Sequence, residues 1–205
     1  MKPKRSAARR KKRRAEPGYA LDQCALFKLR SKRRLARLLG VDLARLKELA
    51  LSKSNYTRFL LPRSVCPFIG KVTKARWVQE PKMELRRIHE RLRVLLSRVQ
   101  PPDYAHGAII GRSYRSNARA HTEATRAATF DIKSFYEKAR ARRVFEFFSS
   151  ELKCAPDVAQ LLMRLTCDKD SLPTGSPLSP KLSPRCCLPI LGRDFLTNQS
   201  LRPTF

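Results

Sequence analysis

The sequence predicts a helix-rich α+β fold, and three observations lead to this prediction. Leucines recur at helical spacing in several segments, which is the pattern of amphipathic helices that share one core. Between two of these segments, residues 54–81 are interrupted by three prolines and a glycine, so only short strands and turns fit there. A short apolar run at residues 127–132 indicates one buried strand. With 42% hydrophobic residues, the 205-residue chain has enough apolar mass for a packed core.

Charge indicates the class of partner. The chain carries 45 Lys and Arg against 17 Asp and Glu, which gives a formal net charge of +28. Residues 1–16 form a basic block without periodicity, which we expect to be a disordered tail. Because the rest of the chain is also strongly basic, the folded part has the electrostatic footprint of a protein that follows a phosphate backbone.

Composition excludes several other classes of protein. No run approaches the length of a membrane-spanning helix, and the basic N-terminus is not followed by the apolar segment of a secretory signal. We therefore expect a cytoplasmic protein in a reducing compartment. The six cysteines include no Cys-x-x-Cys pair, which argues against a zinc site and favours free, buried thiols.

Residues 17–65 are predicted to form a helical N-terminal extension. Leucines from Leu26 to Leu39 recur near helical spacing, Gly40 supplies a C-terminal stop, and Asp42 is a candidate N-cap for a second short helix. Six basic residues are expected on the outer side of this pair, as a solvated face or as a face that grips a nucleic-acid strand: Lys28, Arg30, Lys32, Arg33, Arg34 and Arg37.

The next elements alternate between a strand and helices. Residues 74–80 have the mixed alternation of a strand that ends at Pro81, and an apolar stripe from Leu85 to Val99 predicts the longest helix. Two further helices are predicted over residues 144–152 and 155–165. His89, His106 and His121 are too scattered for a metal cluster, so each is expected to be a satisfied core or loop histidine.

Three stretches carry more specific chemistry. Residues 106–118 hold two glycines and two arginines, a composition that permits close approach of the backbone to a phosphate. In residues 130–136, Asp131 lies at the end of the apolar strand, so it is either a cap for the next helix or a ligand for a hard cation. Residues 172–180 form a turn whose three prolines fix its path while Gly175 permits an unusual dihedral angle.

The order and spacing of these three stretches resemble the N-terminal portion of a reverse transcriptase of the bacterial retron type. The resemblance implies an incomplete right-hand polymerase fold: the helical extension, then fingers and partial palm over residues 66–183. Residues 76–82 and the following helix are similar to the family's fingers, residues 130–136 to its first palm motif, and residues 172–180 to its proline-rich motif.

The resemblance also implies roles for individual residues at the nucleotide. Asp131 and the backbone carbonyl of Ile132 would be oxygen ligands of magnesium ions, which clamp the attacking and leaving oxygens in nucleotidyl transfer. Tyr136 would lie under the sugar of the incoming nucleotide, with packing as its structural alternative. Thr174 and Gly175 would border the nascent base pair, and Arg76, with Lys71 or Lys74, would contact the triphosphate.

An RNA template with a DNA primer, or a noncoding RNA, is the implied partner. Residues 106–118 are similar to the family's glycine-arginine-serine loop and are called the glycine-arginine-serine stretch. The residues expected to contact the nucleic acid are Arg112, Arg115 and Asn117 in this stretch, and Arg33 and Arg34 in the helical extension. The rival interpretation is a non-enzymatic basic nucleic-acid-binding protein in which Asp131 merely caps a helix.

The sequence departs from the family after the proline-rich motif. Catalysis in this family needs an aromatic followed after one residue by paired aspartates, and the chain contains no Asp-Asp pair. Pro184, Pro189 and Gly192 predict that residues 184–205 are an irregular tail, which we hypothesise to be out of frame. We therefore expect this chain alone to lack polymerase activity while it retains salt-dependent binding to nucleic acid.

Overall fold

A computed structural model describes residues 18–65, 70, 72–102, 105–107, 109–123, 125–126 and 134–186. The predicted basic tail, the predicted strand at 127–132 and residues 187–205 lie outside these ranges, as do Asp131 and Ile132. Within the described ranges the chain is α+β, with helices packed on one core and two small antiparallel sheets. The predicted α+β class is therefore confirmed.

The N-terminal extension contains helices α1 (Lys32–Leu39) and α2 (Leu43–Leu51). Ser31 caps α1 through a bond from the Arg34 amide, and Gly40 ends the helix with a left-handed φ of 70°. The Asp42 carboxylate accepts from the Ala44 amide at 2.8 Å, which confirms the predicted N-cap of α2. These local signals set both helix boundaries.

The first leucines of this segment do not belong to the helix that their spacing suggested. After a single 3₁₀ turn, Leu21–Gln23, Leu26 lies in a turn and Leu29 in the irregular segment that precedes α1, and both side chains are buried. Lys28 adopts a left-handed φ of 51°, a conformation that a helix cannot contain. The apolar pattern thus identified core residues correctly and the helix start incorrectly.

A two-stranded ribbon follows the extension. Strand β1 (Tyr56–Leu61) pairs antiparallel with β4 (Arg76–Pro81), and β2 (Ser64–Val65) pairs with β3 (Val72–Thr73) farther out. This confirms short strands in the proline-interrupted region and the strand expected at residues 74–80. All residues of β1 except Tyr56 are exposed, so the ribbon projects from the core.

The core is built from helices around α3 (Met83–Ser97), which buries the predicted apolar stripe. Helices α4 (Tyr114–Arg119) and α5 (Phe135–Lys138) are short, whereas α6 (Ala141–Glu146) and α7 (Pro156–Thr166) pack against each other in the core. The helix predicted over residues 144–152 begins earlier and ends in one π-helical turn, Phe147–Glu151, that buries both of its phenylalanines.

The last described helix, α8 (Ser179–Cys186), includes residues 184–186, where the sequence predicted the start of an irregular tail. The rest of that predicted tail lies outside the described residues. Pro184 lies inside this helix, where it removes one backbone donor. Leu182, Ser183 and Cys186 are buried on the core side, and this packing offsets the missing bond.

The cysteines and the hydropathy of the helices agree with the predictions from composition within the described ranges. Cys24, Cys154, Cys167 and Cys186 are free and buried, as expected of small core residues. Burial raises the pKa of the Cys24 thiol and raises that of Cys154 to about 11, so neither is a reactive thiolate. Of the helices described, none is long and apolar enough to span a membrane.

Candidate nucleic-acid interface

The proline-rich turn at residues 172–180 is hydrogen-bonded to the outer edge of strand β4. The Gly175 amide donates to the Gln79 carbonyl at 3.0 Å, and the Gln79 amide donates to the Thr174 hydroxyl at 3.3 Å. The side-chain oxygen of Gln79 accepts from the Thr174 amide at 3.2 Å and from its hydroxyl at 2.9 Å. One backbone bond and three bonds through the Thr174 and Gln79 side chains therefore fix Thr174 and Gly175 relative to β4.

Gly175 is required by close packing against this strand. A Cβ atom at position 175 would lie 2.7 Å from the Gln79 carbonyl oxygen and 2.8 Å from Cγ1 of Val78. Both distances are shorter than van der Waals contact, and the first involves backbone that cannot easily move. The need for glycine here thus has a reason inside the protein, in addition to the base-pair contact that the resemblance implies.

A buried histidine supports the turn from below. His89 of α3 is fully buried, with Nδ1 2.7 Å from the Ser176 hydroxyl and Nε2 2.7 Å from the Leu165 carbonyl. Because a carbonyl only accepts, Nε2 carries the proton, and Nδ1 accepts from Ser176. Ser176 in turn accepts from the Leu178 amide at 3.1 Å. This chain of bonds ties the turn to α3 and α7.

Burial keeps this histidine uncharged. Desolvation lowers the pKa of His89 to about 4, although the bond to the Leu165 carbonyl opposes the shift. The Tyr56 ring, at the base of β1, packs 6.4 Å from the imidazole centroid. His89 is therefore a satisfied core histidine, as the sequence predicted.

The ribbon face beside the turn changes from buried at its base to exposed at its tip. Cross-strand partners share a face, so Arg58 lies opposite Gln79, and Leu60 lies opposite Trp77. Arg58 donates to both carboxylate oxygens of Asp168, at 3.0 and 2.8 Å, which anchors this face to the loop after α7. Trp77 is 60% exposed and lies beyond this anchor. The result is an open aromatic surface next to the Gln79 side chain.

Positive charge without an acidic partner lies near the ribbon, on the side away from Trp77. Acidic residues of the described ranges are mostly paired with nearby arginines or lysines, as in Arg86 with Glu80 and Arg140 with Asp170. Lys74 and Arg76 are exposed and have no acidic partner among the residues described. Alternation along β4 places Arg76 on the face opposite Trp77 and Gln79. Arg76 therefore adds positive charge to the face of the ribbon that does not carry Trp77.

The chain is similar in sequence to curated reverse transcriptases. Retron Se72 reverse transcriptase of Salmonella heidelberg (strain 579083-10) is 31% identical over 143 residues, which are 69% of this chain and 36% of that protein. Retron Ec86 reverse transcriptase of Escherichia coli is 29% identical over 119 residues, 58% of this chain and 37% of that protein. The chain is similar to retron reverse transcriptases. No family model matches it.

The similarity to retron reverse transcriptases confirms the resemblance inferred from the motifs. The matched stretches span a little over a third of the length of the curated relatives.

Tyr136 is not part of the hydrogen-bonded group around Gln79. It packs partly buried against the helical core, 5.5 Å from the Phe135 ring centroid. Burial raises the pKa of Tyr136, and the interaction with the Ser183 side chain opposes this shift. The contacts of Tyr136 in the described ranges are therefore packing contacts, the structural alternative given in the sequence analysis.

The glycine-arginine-serine stretch forms a separate basic surface. Arg112 is half-buried and donates to the Pro102 carbonyl at 2.8 Å and to the Ala105 carbonyl at 2.6 Å. Ser113 begins α4 with a capping box, and Arg115 and Asn117 are exposed on that helix. Arg112 therefore shapes the loop, while the two α4 side chains remain open to a ligand.

Two arginines of helix α1 also have side chains that are accessible to a ligand. Arg33 and Arg34 are exposed and have no acidic partner in the described part of the chain, whereas Lys32 pairs with Asp157 at 3.0 Å.

Asp131 and Ile132, the expected magnesium ligands, lie outside the described ranges. No group of three or more potential metal ligands occurs among the residues that are described. These residues do not by themselves form a magnesium centre.

Sequence reasoning missed Gln79 and the His89–Ser176 pair as components of this region. Gln79 was within a stretch recognised as strand, and nothing in its neighbours indicated a bond to a residue 95 positions later. His89 falls on the buried stripe of α3, a position where an imidazole needs partners from elsewhere in the fold. Both contacts are long-range and arise only on folding.

Proposed function

We propose that this chain is the fingers and partial palm of a retron-type RNA-directed DNA polymerase, and that it binds an RNA template with a DNA primer. One observation carries the proposal: Thr174 and Gly175, which the resemblance assigns to the nucleotide, are hydrogen-bonded to the strand that bears Trp77 and Arg76. Similarity to two retron reverse transcriptases supports it.

The arrangement suits a single strand of nucleic acid. An exposed tryptophan offers a surface on which a base stacks, and flanking lysine and arginine side chains neutralise phosphates. Trp77 supplies the stacking surface, whereas the cations come from Arg76 on the opposite face of β4 and from Lys74 just before the strand. Arg115 and Asn117 supply further polar contacts at α4. The described residues thus support binding in a way that requires no metal ion.

The proposal also includes a magnesium site, whose ligands would come from residues outside the described ranges. Asp131 and Ile132 would hold it, and the bound ion would neutralise charge that develops on phosphoryl oxygens during nucleotidyl transfer. Because the 205 residues contain no paired aspartates, we propose that this chain by itself binds but does not polymerise.

Intrinsic fluorescence of the single tryptophan tests the proposal. A short single-stranded RNA should quench Trp77, and the apparent Kd should rise steeply with salt because each neutralised phosphate releases counterions. Inorganic polyphosphate should bind without equal quenching, since it has no base to stack. Absence of RNA binding at low salt, or equal quenching by polyphosphate, would contradict a template-binding ribbon.

A further inference from the structure

The orientation of the Gln79 amide is fixed by the hydrogen bonds that reach it. The Thr174 backbone N–H, 3.2 Å away, can only donate, so the side-chain atom it meets must be the carbonyl oxygen of Gln79. The Thr174 hydroxyl bonds to the same oxygen at 2.9 Å. The opposite assignment would set an NH₂ group against an N–H donor. The amide NH₂ of Gln79 therefore points away from the turn.

This NH₂ group offers two donors, and neither is used by the residues that the structure describes. It has no hydrogen-bond partner within the described ranges, and Gln79 is only half-buried. Among described residues, the Tyr56 hydroxyl is the one side-chain polar atom that is both buried and unpartnered, so the Gln79 nitrogen is open to solvent. Two bonds on its oxygen hold the amide rigid, which lowers the entropy lost when it binds a ligand.

The residues around the NH₂ group of Gln79 indicate which ligand atoms could accept a hydrogen bond from it. Trp77 is two residues away on the same strand and therefore on the same ribbon face, which leads from the Arg58–Asp168 anchor to the open indole. A base stacked on Trp77 brings its own carbonyl oxygens, or the oxygens of its sugar and phosphate, towards position 79. Each of these is an acceptor for an N–H donor.

We propose that Gln79 is a binding residue of this surface, whose NH₂ group donates a hydrogen bond to an oxygen of a nucleotide unit held against Trp77 and the Thr174–Gly175 turn. This proposal rests on the proposed nucleic-acid binding and adds a specific donor to it. The side-chain oxygen of Gln79 accepts hydrogen bonds from Thr174 within the fold, and its NH₂ group donates to the ligand. His89 and Ser176 act beneath it as positioning residues, because they fix the turn that holds the amide.

Side-chain amide resonances test the proposal directly. In ¹⁵N-labelled full-length chain, the Gln79 NH₂ pair is identified as the pair that disappears in Gln79→Glu. Addition of a short single-stranded RNA should shift that pair in a saturable manner. In a parallel arm, a deoxynucleoside triphosphate is added instead. A shift with RNA alone indicates a strand, and a shift with the triphosphate alone indicates the incoming nucleotide.

Affinity provides the second measurement. Gln79→Glu keeps an oxygen that accepts from Thr174 but removes both donors, and it should weaken RNA binding about threefold to tenfold more than a control with the same charge change. Gln160→Glu is that control, because Gln160 is exposed on α7 and undergoes the same chemical change away from the ribbon.

The outcomes separate this inference from the proposed function. If RNA binds but neither ligand shifts the Gln79 pair, or if both Glu variants weaken binding equally, Gln79 is not a binding residue although the nucleic-acid function stands. If no RNA binds at all, the proposed function fails and this inference fails with it.

Discussion

His89 shows how one side chain links burial to pH. Its neutral form is bonded at both ring nitrogens, and burial lowers its pKa from an ordinary value of 6.5 to about 4. The unfolded chain therefore takes up a proton near pH 6.5, whereas the folded chain takes it up only near pH 4. The stabilising contribution is complete above pH 6.5 and is lost as the pH falls towards 4.

We expect the free energy of unfolding to drop by about 1.4 kcal/mol between roughly pH 7.5 and pH 5.5 because of His89. Urea denaturation at the two pH values measures the drop. His89→Gln, which removes the titrating group, should show a correspondingly smaller difference. An equal difference in the two proteins would mean that other groups cause the pH dependence.

Gly175→Ala tests the close approach of the turn to β4. The added Cβ would lie 2.7 Å from the Gln79 carbonyl oxygen, so the turn or the strand must shift. We expect a loss of about 1–3 kcal/mol in the free energy of unfolding. The matched control is Gly107→Ala, where a Cβ meets nothing within 4 Å and a change below about 0.5 kcal/mol is expected. Equal effects at both positions would disprove the packing explanation.

Among the helices, boundaries were predictable where a local signal sets them. Gly40 and Asp42 act through their own backbone conformation and side chain, so sequence alone identified the end of α1 and the start of α2. The start of α1 and the continuation of α8 past Pro184 were mispredicted. In both cases long-range burial, of Leu26 and Leu29 or of Cys186, overrode the local preference.

Helix α1 carries a prediction about nucleic-acid binding. Arg33 and Arg34 are exposed without acidic partners in the described part of the molecule, so their charges are available to phosphates. Replacing both with alanine should weaken RNA binding and lower the slope of log K against log salt by about 1.4, as expected for two lost phosphate contacts on a single strand.

A control for the α1 variant uses two arginines that are already paired. Arg142 and Arg143 of α6 both bond to Glu146, at 2.9 Å each, and the pKa of that carboxyl is lowered by them. Replacing this pair with alanine should change the salt slope less than the α1 change does. If the two double variants behave alike, binding depends on total charge and not on the α1 face.

For the whole molecule, binding and catalysis are predicted to separate. The 205-residue chain has unpaired cations and an exposed tryptophan but no paired aspartates, so it should bind a primer-template and incorporate no deoxynucleotide. A primer-extension assay with magnesium, run beside a binding assay on the same preparation, measures both. Template-directed incorporation would overturn the predicted inactivity, even if binding behaves as expected.

Sequence by itself determined the family resemblance, the α+β class, the basic character and most core positions, because motif order, charge and apolar periodicity are properties of the chain. Only the tertiary structure decided which side chains meet. It joined Gln79 to Thr174 and His89 to Ser176, and it gave Tyr136 a partner in Ser183. The physical reason is that hydrogen bonds between buried groups depend on positions far apart in sequence, which no local pattern specifies.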